Sequence, residues 1–189
     1  PEQIRDVVQS WLQRQARRIF EERHESFALD AAIDRQYYAG LAMRALSAEG
    51  GSSTQLRALI GSIIDRLNLL WLLRYRFAYG LSSAEAYYLL IPSTFRLGSR
   101  ELLALSQLGS FEEVIARLPA PFSGWLAGTV NASDVTYILE RESWRLAESV
   151  LRRSAFNLAR AFAYLLLRER DLRWVRAAIT GVTAGALVG

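Results

Sequence analysis

Cysteine and lysine are both missing from this chain of 189 residues. Without cysteine there is no disulfide, no thiol nucleophile and no thiolate metal site. Without lysine there is no Schiff-base chemistry and no phosphate-binding loop of the Gly-Lys-Ser/Thr kind. Histidine occurs once, as His24. Glu21 and His24 spell Glu-x-x-His, half of what a di-iron bundle needs, and no second copy follows. Beside Glu22, Arg23 and Glu25, His24 reads as a helix-surface residue. A Ser-His-Asp triad has only that histidine to use, and no Gly-x-Ser-x-Gly elbow is present. The closing GVTAG stretch lacks the GxGxxG spacing and a following lysine. No segment reaches the roughly 18 uninterrupted apolar residues of a membrane span. No signal peptide is visible, although the sequence opens on Pro1 and not on an initiator Met, and the expectation is a cytoplasmic, soluble or peripheral protein.

What is present is ordinary for a globular chain: 51% hydrophobic and 22% charged residues. The length is enough for a sizeable core, in one domain or two small ones. All basic residues are arginines, and the net charge is only +4. Arginine and glutamate interleave, so no strongly basic field results.

The chain is organised around Ser53–Gly80. Leu56, Ile60, Ile63, Ile64, Leu67, Leu70, Trp71 and Phe77 recur at helical spacing. Every residue from Leu67 to Leu73 except Asn68 is apolar, and a helix apolar nearly all round belongs inside something. Asp65, Asn68 and Arg74 interrupt it, and Gly80 is placed to take the left-handed position past its end. Before it, residues 2 to about 25 read as an amphipathic helix burying Ile4, Val8, Trp11 and Ile19. A second helix is expected from near Asp30 to Gly50-Gly51, where the glycine pair and Ser52-Ser53 make a break and a fresh cap. Residues 81 to 120 are cut into short helices by Ser82-Ser83, Pro92, Gly98-Ser99, Gly109-Ser110 and Pro119, with Ser99 and Ser110 as caps. Long helices from about Ser133 to Arg153 and from about Phe156 into Thr180 complete an all-α chain.

The pieces repeat. Asp34-Arg35 matches Glu140-Arg141, and Asp65-Arg66-Leu67 matches Asp171-Leu172-Arg173, both at a shift of 106 residues. IRDVVQSW from Ile4 matches FEEVIARL from Phe111 at 107. The expected division is the end of a preceding helical unit (1–23), a complete unit (24–129) and an incomplete closing unit (130–189). Residues 31–80 and 137–186 are then expected to superpose as the same helix pair. Asp34, Asp65, Asn68, Glu140 and Asp171 are the repeat positions, with Asp65 and Asp171 in like surroundings. By the same reading, the front of the first unit lies upstream of Pro1.

Other polar groups read as structure. Glu112-Glu113 and Glu140/Glu142 sit near arginines three or four residues on, Glu113 with Arg117 and Glu142 with Arg145, which suits solvated ion pairs. Arg74-Tyr75-Arg76-Phe77 and Arg173-Trp174-Val175-Arg176 have the ingredients of a stacking nucleic-acid surface. Helix neighbours point about 100° apart, however, so core aromatics with edge arginines is the simpler account. A buried Asp65 must be paired or must cap another segment. Gly40 and Gly61 read as points of close helix packing.

The order of these features resembles the C-type subunit family of the V/A-type ATPases (ATP synthases), the counterpart of the eukaryotic d-type subunit. The resemblance rests on Asp34-Arg35-Gln36-Tyr37-Tyr38, then Asp65, Asn68, Leu69, Leu73, Arg74 and Arg76, then Leu90-Ile91-Pro92 and a run of short helices. The close is carried by Glu169, Asp171, Leu172, Val175, Arg176 and Gly181. It covers nearly the whole chain. Trp174 stands where Asn68 stands in the preceding unit, Val182 replaces a basic residue, and the family's first third has no counterpart.

The resemblance implies part of a funnel of three similar helical units. It also implies a non-catalytic coupling role between the central rotor stalk and the membrane proteolipid ring, peripheral on the cytoplasmic side. No cofactor, metal, nucleic acid or small-molecule substrate is expected. Arg66, Arg74, Arg76, Arg173 and Arg176 are the partner-binding candidates. Two other classes fit the residues: a helical-repeat scaffold for another protein, and an arginine-rich RNA-binding helical protein with steep salt dependence.

Overall fold

A computed structural model describes residues 26–47, 53–153 and 157–186, with side chains placed for 29–47, 54–153 and 157–180. The expected helix over residues 2 to 25, and His24 with it, lies outside the described residues. So do Gly50-Gly51 and Ser52. Among the described residues every regular element is helical. They are α1 (Ser26–Ser47), α2 (Ser53–Leu73), α3 (Ser83–Leu89), α4 (Ser99–Ser106), α5 (Phe111–Arg117), α6 (Phe122–Trp125), α7 (Ala132–Arg153) and α8 (Leu158–Ala186).

The apolar stretch does sit in the middle. Leu59, Ile64, Leu69 and Leu72 of α2 are fully buried. α1 packs antiparallel on one side of α2, and the antiparallel pair α7 and α8 packs on another. α3 to α5 wrap the remaining flank, contributing Leu89, Leu102, Leu105 and Val114 to the same core. α2 widens rather than stopping at Leu73: Arg74–Ala78 forms a single π-helical stretch, closed by the Tyr79 N–H donating to the Arg74 carbonyl at 2.9 Å. Gly80 follows with φ +67°, the left-handed position expected of it.

The short helices begin where small polar residues satisfy their first N–H groups. Ser82 and Glu85 form a reciprocal capping box at α3. The Ser110 hydroxyl accepts from the Glu113 N–H at 3.2 Å, Asn131 accepts from Asp134 at 2.9 Å, and Asn157 accepts from Arg160 at 3.0 Å. At α4 the cap residue is Gly98, not Ser99. Ser99 is engaged elsewhere, its N–H and hydroxyl both reaching the Ser93 carbonyl. Glu113 does not serve Arg117 but turns back to the Gly109 N–H at 2.9 Å, while Glu142 and Arg145 pair at 2.8 Å as expected.

The two glycines differ. A Cβ on Gly61 would stand 2.8 Å from Phe95 Cδ1, so Gly61 admits an aromatic ring of the following segment against α2. On Gly40 it would meet only the Arg44 side chain of its own helix, so Gly40 marks no close approach of a second element.

Candidate partner-binding face

The polar residues inside α2 come first, because they set where everything else can lie. Asn68 is fully buried and grips one residue's backbone from both sides: its Nδ2 donates to the Ile91 carbonyl at 3.0 Å, and its Oδ1 accepts from the Ile91 N–H at 2.8 Å. One turn earlier, Asp65 Oδ1 accepts from the Leu97 N–H at 3.0 Å. From α1, Arg35 Nε donates to the Leu90 carbonyl at 2.8 Å. The irregular segment Leu90–Leu97 is thereby stitched to two helices, with buried backbone groups satisfied by side chains. Burial pushes the Asp65 carboxyl up to about 6, against the opposing pull of the Leu97 and Arg96 backbone N–H groups and the Arg96 charge.

Asp171 does not share that environment. It is half-exposed, pairing with Arg170 at 3.1 Å and Arg168 at 3.7 Å. Asp65 is held by a segment that folds back over α2, and no described segment folds back over α8. The matched sequence positions therefore do different work.

The five candidate arginines separate into two groups. Arg66 lies largely buried where α2, α7 and α8 meet, with Glu140 at 3.9 Å. Burial lowers its pKa and the Glu140 charge opposes that shift. Arg173 spans two helices, donating to Glu140 at 2.8 Å and to Glu169 at 2.5 Å. Its pKa is raised first by the hydrogen bond to Glu169. Arg76 ties down backbone, donating to the Leu81 carbonyl at 2.6 Å and the Leu108 carbonyl at 3.2 Å. These three hold the body together. Arg74 and Arg176 are exposed.

The aromatics expected to be core likewise divide. Tyr75 is buried beside Trp71, as expected. Trp174 is 61% exposed, stacked edge-on to Trp144 with the Arg170 guanidinium 5.4 Å from its ring centroid. A cleft of about 280 Å³ opens between α2, α6 and α7, walled by Phe122, Trp125 and Leu139 and edged by Arg66, Arg96 and Glu142. Its walls come from elements far apart in the sequence, and no local pattern announces it. Among the described residues no group of histidine, aspartate and glutamate is arranged to hold a metal. No described helix is long and apolar enough to cross a membrane.

The family model for the ATP synthase (C/AC39) subunit matches residues 2–186. The chain belongs to that family. Curated relatives in the C/AC39 family include the C-type subunit of the A-type ATP synthase of Thermococcus kodakarensis, 31% identical over 156 residues. Its namesake from a Desulfurococcus species is 29% identical over 154 residues. The alignments take in 79% and 78% of this chain but 41% of each relative, so the chain spans less than half the length of the relatives it matches. No solved structure matches it.

Proposed function

We propose that this chain acts as a non-catalytic coupling part of a V/A-type rotary ATPase. It joins the central rotor stalk to the membrane proteolipid ring and lies peripherally on the cytoplasmic side. The observation that carries this reading is membership, over nearly the whole chain, in a family named for an ATP synthase subunit. The described body supports it: a core helix with flanking segments bound through Asp65, Asn68 and Arg35 resists bending, as an element transmitting torque must. In this reading the units 1–23, 24–129 and 130–189 belong to a pseudo-threefold funnel. Arg74 and Arg176 face the partner, while Arg66, Arg76 and Arg173 hold the helical body together.

The test is binding of the full chain to purified stalk subunits and, separately, to the detergent-solubilised proteolipid ring. Micromolar binding to both is expected. Replacing Arg74 and Arg176 with alanine is expected to weaken stalk binding by about tenfold or more with unchanged helicity, because each charged hydrogen bond contributes about 1.5–3 kcal/mol. Failure of the unaltered protein to bind either partner would sink the coupling role. Unaltered stalk affinity in a folded double variant would remove only the arginine assignment.

A further inference from the structure

Phe122, Trp125, Leu139 and Leu146 give the cleft between α2, α6 and α7 its apolar walls. Phe122 and Trp125 meet edge to face, their ring centroids 5.5 Å apart, so a flat ring entering the cleft finds aromatic neighbours. The volume of about 280 Å³ lies at the small end of ligand sites, which run from about 300 to 1,000 Å³. One turn of helix, about 10 Å across and about 5.4 Å long, needs more room than that. The cleft is sized for a compact molecule of one or two rings.

Its charges are unevenly answered. The Arg66 side chain is only 16% exposed, and it makes no hydrogen bond among the described residues. Its ion-pair partner Glu140 stands 3.9 Å away, and the same Glu140 Oε1 already accepts from Arg173 at 2.8 Å. A permanent cation with five N–H donors is thus largely withdrawn from water and given no protein acceptor. Such a donor is costly to leave unanswered, and an acceptor entering the cleft removes the cost. Arg96, also on the lining, is exposed and joins no ion pair among the described residues. The other charged groups are engaged: Arg145 with Glu142 at 2.8 Å, and Asp65 with the Leu97 N–H. With Asp65 ionised, the lining holds three guanidinium groups against two carboxylates, an excess of one positive charge. One negative charge balances it, whereas a dianion such as a phosphate monoester meets Asp65 and Glu142 as like charges.

We propose that this cleft binds a small aromatic monocarboxylate, its ring against the Phe122 and Trp125 wall and its carboxylate on Arg66. Arg96 adds a second cation at the edge. The site goes beyond the coupling role and does not depend on it.

The test titrates the full chain with naphthoate and follows binding by calorimetry. Neutral naphthalenemethanol and acetate are the comparisons. Naphthoate is expected to bind at least about tenfold tighter than the alcohol, the effect of one charged hydrogen bond. Acetate has the charge but no ring and is expected to bind far more weakly than naphthoate. Leu146→Trp fills the cleft and is expected to abolish naphthoate binding. Trp174→Ala removes an exposed ring on α8 and is expected to leave that binding intact. Equal affinity for naphthoate and the alcohol overturns the proposal, and so does no naphthoate binding at millimolar concentration. Naphthoate binding that survives in a folded Leu146→Trp protein, or is lost in a folded Trp174→Ala protein, overturns it too. Circular dichroism checks folding. Should Leu146→Trp not fold, Arg96→Gln takes its place, because that side chain is exposed and joins no ion pair among the described residues. Naphthoate binding weakened several-fold, with binding of the alcohol unchanged, supports the site. An unchanged preference for naphthoate rejects it.

Discussion

At the scale of single residues, Asp65 is the group whose chemistry is most altered by the fold. A carboxyl that is 2% exposed and raised to about 6 holds its proton where an ordinary aspartate has lost it. The unfolded chain ionises this group near 3.8. As pH rises from about 4 to about 6, the unfolded state therefore gives up the proton while the folded state still binds it. The contribution of Asp65 to stability falls across that window and is level above it. A shift of this size corresponds to about 2–3 kcal/mol, one unit being about 1.4 kcal/mol. Asp65→Asn keeps an oxygen for the Leu97 N–H and removes the titration. The stability difference between variant and parent, measured by denaturant unfolding at several pH values, is expected to move in favour of the variant between about pH 4 and 6.5. A difference that stays constant with pH would contradict the assignment. Much of this was open to reading in the sequence, because an aspartate inside an apolar helix is costly unless it binds something. Its partner was not, since the Leu97 N–H is 32 residues away. The arginines show the opposite limit. Arg66 and Arg74 look alike in sequence, yet one is largely buried against Glu140 and the other is exposed, a difference that only packing determines.

At the scale of elements, the helices could be read from their periods and caps, and their ends could be read less well. α1 begins one turn before its expected start. α8 runs beyond Thr180. The π-helical stretch after Leu73 has no local signature in the sequence. Gly61 is the position where sequence and packing agree most closely, although the neighbour is the Phe95 ring rather than another helix. Alanine is the better helix former by about 1 kcal/mol. The 2.8 Å approach of a new Cβ to Phe95 Cδ1 displaces the ring and strains the segment bound by Asp65 and Asn68, and overpacking of this kind costs about 1–3 kcal/mol. Gly61→Ala is therefore expected to destabilise the parent protein. In a Phe95→Ala background the clash is gone and the same change is expected to stabilise. A double-mutant cycle by urea unfolding reads the sign reversal directly. Stabilisation by Gly61→Ala with Phe95 in place would show that the ring yields and that no close packing is required there.

At the scale of the whole molecule, burial is distributed unevenly between the long helices α2 and α8, and local stability follows burial. α2 is enclosed by α1, α7, α8 and the short helices, and its amides open only when that shell comes apart. α8 is enclosed over its first half, through Ala159, Ala163 and Leu167, and every residue from Leu172 to Thr180 is exposed. Composition separates the two in part, since α8 gathers Arg168, Glu169, Arg170, Asp171, Arg173 and Arg176 where α2 has only Arg57, Asp65 and Arg66. What separates them further is that segments fold back over α2 and none of the described residues fold back over the second half of α8. Hydrogen exchange on the isolated chain is expected to give amides of residues 59–72 the protection of global unfolding. Residues 172–180 are expected to exchange through local fraying, with protection smaller by several orders of magnitude. In a chain whose stability is about 5–15 kcal/mol, that ordering is wide enough to resolve by mass spectrometry of peptides. Equal protection of residues 172–180 and 59–72 would mean that the outer face of α8 is covered in solution.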